Sequence, residues 1–409
     1  MAQDIATSGK ASWYLLGPAF VAAIAYVDPG NVAANVSSGT QFGYLLLWVI
    51  VAANVMAGLV QYLSAKLGLV TGRSLPESIG DRMSRPARLA YWAQAEIVAM
   101  STDVAEVIGG AIALRILFGL PLPLGGLITG VISLLLLMIK DRRGQRRFEA
   151  VITGLLLIIA LGFTASFFVA TPPAREVLSG LVPRFQGTES VLLAAAILGA
   201  TVMPHAVYLH SGLARDRHGQ PAPGPDRRRL LRITRLDVGV AMVIAGGVNA
   251  AMLLVAAFNM RGHGEVGSID AAYVAVRDTL GPTIAVLFAV GLLASGLASS
   301  SVGAYAGAMI MQGLLHWSVP MAVRRIVTVC PAIALLALDV DPTRALVLSQ
   351  VVLSFGIPFA VLPLVRLTAN RKLMGSDANH MITTAVGWVV AVMISLLNVA
   401  LICLTVKGS

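Results

Sequence analysis

"AYVDPGN", residues 25–31, interrupts an apolar segment that runs from about Trp13 to Val36. Asp28 places a carboxylate there, and Pro29 followed by Gly30 breaks a helix. Proline lacks a backbone N–H and clashes with the preceding turn. In lipid the freed backbone groups must find partners in the protein, so an unwound stretch persists only where it is buried or lines a cavity. The stretch therefore reads as the broken centre of a membrane-spanning helix. The composition agrees. Hydrophobic residues make up 57% of the 409 and charged residues only 12%, against about 25% charged in a soluble domain.

Apolar stretches of bilayer length, separated by turn signals such as "GLPLP" at 119–123 and "TPP" at 171–173, give eleven spans: 13–36, 43–70, 87–118, 122–140, 149–171, 188–214, 232–259, 271–314, 320–338, 344–367 and 382–405. The eighth is longer than a bilayer needs, and its first residues are expected outside. Residues 1–12 are short and polar and show no cleavage signal, so the first run reads as a mature span. With the N-terminus inside, 23 of the 30 Lys+Arg fall on inner segments, from Lys10 to Lys372, and 7 on outer ones, Arg261 and Lys407 among them. That asymmetry predicts a multi-pass protein of the cell membrane, N-terminus cytoplasmic and C-terminus extracytoplasmic. The net charge of +10 follows from basic inner loops and calls for no nucleic acid. Segment 215–231 is expected to be a mobile cytoplasmic loop and "DRRGQRR" at 141–147 a basic turn. Cys330 and Cys403 lack metal-ligand spacing and read as small buried hydrophobes, with neither disulfide nor zinc site.

The sixth span holds a second break, "GATVMPHAVYLH" at 199–210. Asp28 and Met203 lie 175 residues and five spans apart. An odd number of spans per repeat inverts the halves, and a matched pair of interrupted helices points to a transporter site at the midplane. The expected organisation is one transport domain, 1–409, with a first five-helix repeat at 13–171, an inverted second at 188–367 and an eleventh helix at 382–405.

The breaks carry ligands. Asp28 offers a carboxylate, Asn31 an amide oxygen and Met203 a thioether, and unwinding frees carbonyls near Ala25 and Ala200. Magnesium and calcium sites are built from oxygen, whereas a hard–soft mixture suits manganese(II), iron(II), cobalt(II) or cadmium(II). Core packing is the alternative for Met203. Gln350, in the tenth span, supplies an amide oxygen or a helix–helix hydrogen bond.

In the third span Glu96, Asp103 and Glu106 fall within about 80° of one another on one helix face. Such a stripe suggests an aqueous path or a proton relay, with Arg324 and Arg325 as positive partners. A structural salt bridge is the other reading. His205 and His210 follow the second break and titrate near neutral pH. Asn54 and Gln61 are expected to line the same interior. Gly296, Ala298 and Gly303 of the eighth span permit close helix approach.

"DPGN" at 28–31, "MPHAVYLHS" at 203–211, the third-span carboxylates, "ASGLASSSVG" at 294–303 and "LSQVVLSFGIPFA" at 348–360 together resemble the Nramp divalent-metal transporters, in their bacterial MntH branch. The resemblance covers essentially the whole chain. It implies an all-α membrane protein of LeuT-type fold and proton-coupled import of manganese(II) or iron(II). It implies a metal seat of Asp28, Asn31, Met203 and the carbonyls of Ala25 and Ala200, joined by Gln350 in one conformation. It ties His205, Asp103, Glu106, Glu96, Arg324 and Arg325 to proton movement and gating. A magnesium-selective branch lacks the methionine, and Met203 argues against it. Beyond the transported ion and protons no cofactor or obligatory protein partner is implied.

Three rivals stand beside this reading. An organic-solute symporter of the same fold would favour glycine-rich breaks facing a substrate carboxylate, which Asp28 repels. An intramembrane protease would need paired reacting groups, and no HExxH occurs. A passive metal channel shares the ligands and differs in proton coupling and saturation.

Overall fold

The computed structural model describes residues 17–168, 172–259 and 268–407. Lys10, Arg261, and residues 13–16 and 169–171 of the expected first repeat lie outside the described residues, as does the side chain of Cys403. The chain opens with α1 (Pro18–Ile24), one 3₁₀ turn (Ala25–Val27) and α2 (Pro29–Phe42). Next come α3 (Leu47–Thr71), the short α4 (Leu75–Gly80), α5 (Arg85–Phe118), α6 (Leu122–Arg143), α7 (Gln145–Thr164) and the short α8 (Ala174–Ser179). The second half comprises α9 (Gly187–Thr201), α10 (Pro204–His218), α11 (Pro225–Asn259), α12 (Ile269–Leu280), α13 (Pro282–Leu315), α14 (Met321–Ala337), α15 (Pro342–Ala369), α16 (Arg371–Met374) and α17 (Met381–Lys407). No strand occurs among the described residues.

Nine helices among the described residues are long and apolar enough to cross a membrane, α9 and α10 counting as one. The broken α1–α2 pair and the 17-residue α14 bring the spans to eleven. Both breaks form as their prolines dictate. Pro29 and Pro204 each sit in the first turn of the second half-helix, where a missing N–H costs nothing. Asp28 caps α2, accepting a bond from the Asn31 N–H at 2.8 Å; such a cap satisfies an amide that lipid would leave bare. Elsewhere a one-residue turn at Gly144, with φ +85°, joins α6 to α7. That left-handed conformation favours glycine.

Small residues set the helix spacing. A Cβ on Gly296 of α13 would press on the Gly110 backbone of α5, and one on Gly68 of α3 would overlap the Ser211 carbonyl of α10. These pairs therefore meet backbone to backbone.

Three expectations need correction. The eighth span, read as 271–314, is two helices, because Gly281–Pro282 ends α12 and opens α13. Segment 215–231 is mostly helix; only 219–224 separates α10 from α11. Pro225 starts the helix, and buried Arg227 ties its end to the Pro221 carbonyl at 2.8 Å and to Asp377 at 3.1 Å. Cys330 is exposed, not buried, since it lies on the outward face of α14.

Candidate metal seat and its titratable neighbours

The two breaks meet. Asn31 donates from Nδ2 to Asp28 Oδ1 at 2.7 Å and to the Ala200 carbonyl at 2.9 Å. One amide thus spans the first break and the second. From α15 the Gln350 Nε2 reaches Asp28 Oδ2 at 3.4 Å. Glycines permit this approach: a Cβ on Gly30 would overlap the Gln350 amide, and one on Gly199 the Gln350 carbonyl. Asp28, Asn31, Ala25, Ala200, Met203 and Gln350 are at most 1% exposed. Met203 lies in extended backbone at the second break, φ −69° and ψ 121°. The Ala200 carbonyl has no helical donor, because the residue four positions on is Pro204, and the Asn31 amide takes it up instead.

The seat has a definite electrostatic sense. Asp28 is surrounded by N–H donors, while Asn31 Oδ1 and Gln350 Oε1 are buried without hydrogen-bond partners. Each orphan acceptor costs about 1–3 kcal/mol. A cation at Asp28 needs oxygen, and a half-turn of either amide would exchange its NH₂ for that oxygen.

The unwound backbone is strapped from other helices. Asn249 of α11 donates to the Tyr26 carbonyl at 2.7 Å, and Ser295 of α13 to the Val27 carbonyl at 2.5 Å. Asn35 bonds the same Asn249 at 2.9 Å. Sequence reasoning missed Asn249, Ser295 and Gly199, and it read Gly30 as a helix breaker without its second role of clearing space for Gln350. A polar residue inside an apolar span was the available signal for the first two.

Two of the three third-span carboxyl groups are ion-paired. Glu96 pairs with Arg324 at 2.7 Å and Asp103 with Arg325 at 2.8 Å; Arg325 also bonds Ser300. Glu106 is fully buried, and neither of its carboxylate oxygens has a hydrogen-bond partner. It presses on α13 where Gly303 leaves room. His205 Nδ1 faces Thr102 of the same span at 3.3 Å, with Nε2 unpartnered. His210 belongs elsewhere: its Nδ1 meets Gln61 Oε1 at 2.6 Å, and Gln61 bonds the Tyr26 hydroxyl. Asn54 does not share that interior. It donates to the Met242 carbonyl of α11 at 3.0 Å and lies against Gly246, an interhelix contact.

At the membrane border, α4 opens with a capping box in which Ser74 and Glu77 exchange bonds. Glu77 accepts Arg215 at 2.6 Å. Burial alone would raise the Glu77 carboxyl; the Arg215 and Ser74 bonds outweigh it and hold the group below the usual range.

The profile of the family described as "Natural resistance-associated macrophage protein-like" matches residues 19–404. The chain belongs to the Nramp family. An Nramp relative, the "Divalent metal cation transporter MntH" of Mycobacterium tuberculosis, is 82% identical over 408 residues, covering 100% of this chain and 95% of its own. The protein of the same name from Bacillus subtilis is 48% identical over 389 residues, 95% of this chain and 91% of its own. Among solved structures, the Eremococcus coleocola manganese transporter superposes with a TM-score of 0.86 at 31% identity, over 97% of this chain and 89% of that one. A nucleobase-cation-symport-1 transporter in a closed conformation superposes at 0.60 with 17% identity, over 96% and 93%. That more distant likeness concerns the LeuT-type fold alone.

Proposed function

We propose that this Nramp chain is a divalent metal cation transporter that imports manganese(II) or iron(II), and accepts cobalt(II) and cadmium(II), coupled to protons by alternating access. The carrying observation is the meeting of both breaks on Asp28, with Asn31 bridging to Ala200 and Gln350 closing from α15. The printed names of the relatives, divalent cation and manganese transporters, support the same class.

In this reading the ion enters from outside and loses most of its water. Asp28, Asn31 and Met203 take it up with the carbonyls of Ala25 and Ala200, and the Asn31 and Gln350 amides turn their oxygens inward as the site closes. Ligands must be deprotonated to coordinate, so binding expels any proton on Asp28. That proton leaves along the face of Asp103, Glu106 and Glu96, with His205 beside it. The Arg324 and Arg325 pairs gate the route, and His210 with Gln61 braces Tyr26 below the seat. The five-helix units 13–171 and 188–367, inverted relative to each other, rock to change access, with 382–405 outside the repeat. Basic loops keep the N-terminus cytoplasmic and the C-terminus extracytoplasmic.

The test is manganese uptake into proteoliposomes carrying an internal pH dye, wild type beside Asp28→Ala. Saturable uptake with acidification is expected, reduced at least ~100-fold in the variant, since loss of the one charged ligand removes ~3 kcal/mol or more. Near-normal uptake by Asp28→Ala sinks the seat. Uptake without acidification converts the mechanism to a channel or uniporter.

A further inference from the structure

The N-terminal half of α11 reads "PDRRRLLRITRLDVGVAMV" from Pro225. Arg228, Arg229, Arg232 and Arg235 are exposed there, and so are Leu236, Gly239, Val240 and Val243. Spacings of three and four residues put them on one helix face. The basic group occupies the first eleven residues, and the apolar group continues directly from it. Leu236, Val240 and Val243 are 60%, 41% and 72% exposed. At about 1.5 Å per residue, Arg228 stands about 12 Å above Leu236 along the axis. That matches a phosphate level above the start of the hydrocarbon.

Two features separate this face from ordinary basic loops. Arg227, on the other side of the same turn, is buried and paired with Asp377. No acidic side chain among the described residues pairs with Arg228, Arg229 or Arg232; of the two carboxylates in this stretch, Asp226 and Asp237, the second is buried and accepts from the Gly17 and Ala19 amides. Arg235 is also oriented: its guanidinium stacks over the Tyr62 ring of α3 at 4.9 Å and bonds the Tyr62 hydroxyl at 3.3 Å. The helices run antiparallel here, since Asn54 meets Met242 and Gln220 meets Val70. Tyr62 thus fixes one guanidinium at the mouth of the α3–α11 seam, where a planar fork suits phosphate.

We infer that this face of α11 is a binding site for an anionic phospholipid of the cytoplasmic leaflet, its phosphate held by Arg228, Arg232 and Arg235 and its acyl chain lying on Leu236, Val240 and Val243. The choice of lipid over a soluble anion follows from continuity: the cationic stripe runs without interruption into a lipid-facing apolar one. The leaflet assignment rests on the orientation proposed above. The lipid contact itself does not, and its test needs neither metal nor uptake.

The test uses Val243→Trp as a local reporter in nanodiscs of brominated lipid, with the parent protein's tryptophan signal subtracted. Brominated phosphatidylglycerol is expected to quench the reporter more than brominated phosphatidylcholine at equal mole fraction. Each arginine near an anionic surface is worth about fivefold in local lipid association. Arg228→Gln/Arg229→Gln/Arg232→Gln should therefore lower the preference at least ~10-fold, and Arg232→Gln alone, should the triple fail to fold, about fivefold. Arg82→Gln/Arg85→Gln/Arg147→Gln, which removes three exposed charges elsewhere, should leave it unchanged. Equal losses in both triples, or no preference in the wild type, would overturn the site. So would abolition of the preference by inorganic phosphate but not by chloride of matched ionic strength, which would reassign the stripe to a soluble anion.

Discussion

Met203 is the residue on which ion choice turns. Oxygen from Asp28 and the amides serves any divalent cation, whereas a thioether favours soft ones and adds little for calcium or magnesium. Its removal should therefore harm discrimination more than transport. Met203→Ala is expected to keep manganese uptake within about threefold while calcium competes about tenfold better, a difference of about 1.4 kcal/mol. Manganese uptake titrated with calcium measures this, and an unchanged calcium inhibition constant would leave sulfur without a role. Asp28 and Met203 were legible in the sequence because each stands beside a proline in an apolar run, and Asn31 because it closes the same short break. Their mutual arrangement was not. Nothing local to "DPGN" or "VMPH" says that Asn31 would present its NH₂ rather than its oxygen to Asp28, or that it would take the Ala200 carbonyl 169 residues away.

Among the elements, the broken helices depend on partners that sequence spacing does not reveal. A heptad interval fixes which face of a helix two residues share, but not which neighbour covers that face. Gln61 faces Tyr26 and His210, while Asn54, seven residues earlier, drifts to α11. The paired arginines were legible because an apolar span that opens with two cations needs two anions, and Glu96 and Asp103 are the ones supplied. The short α4 was not anticipated, yet it links α3 to α10 through Glu77 and Arg215. Because the folded Glu77 carboxyl sits below the ordinary value of about 4.3, its contribution is present above that value and lost as pH falls through the lower folded one. The pair is partly exposed, so screening limits it to about 0.5–1 kcal/mol. Thermal unfolding in detergent should show Glu77→Gln less stable than wild type by that amount at pH 7. The gap should close below about pH 4. A gap that persists undiminished into that acid range would assign the effect to the lost capping geometry instead of the charge.

At the scale of the whole molecule, eleven spans make an odd number, so the two ends of the chain must face opposite sides. Every loop then has a fixed side, and one misplaced span would invert all that follow. The division of Lys+Arg, 23 on one set of segments and 7 on the other, is the ground for the proposed orientation. The split of the eighth span into α12 and α13 does not disturb the alternation, because α12 has 12 residues, too few to cross. Ala222, exposed between α10 and α11, and Thr188, exposed at the start of α9, stand at opposite ends of the second broken helix. With Cys330 and Cys403 replaced by serine, Thr188→Cys is expected to react with a membrane-impermeant maleimide added to intact cells. Ala222→Cys should react only after the membrane is opened. The reverse pattern would turn the molecule over and put the arginine face of α11 in the outer leaflet. Labelling of both positions from outside would mean that the broken helix does not cross, and that the meeting of its break with Asp28 cannot lie at mid-membrane.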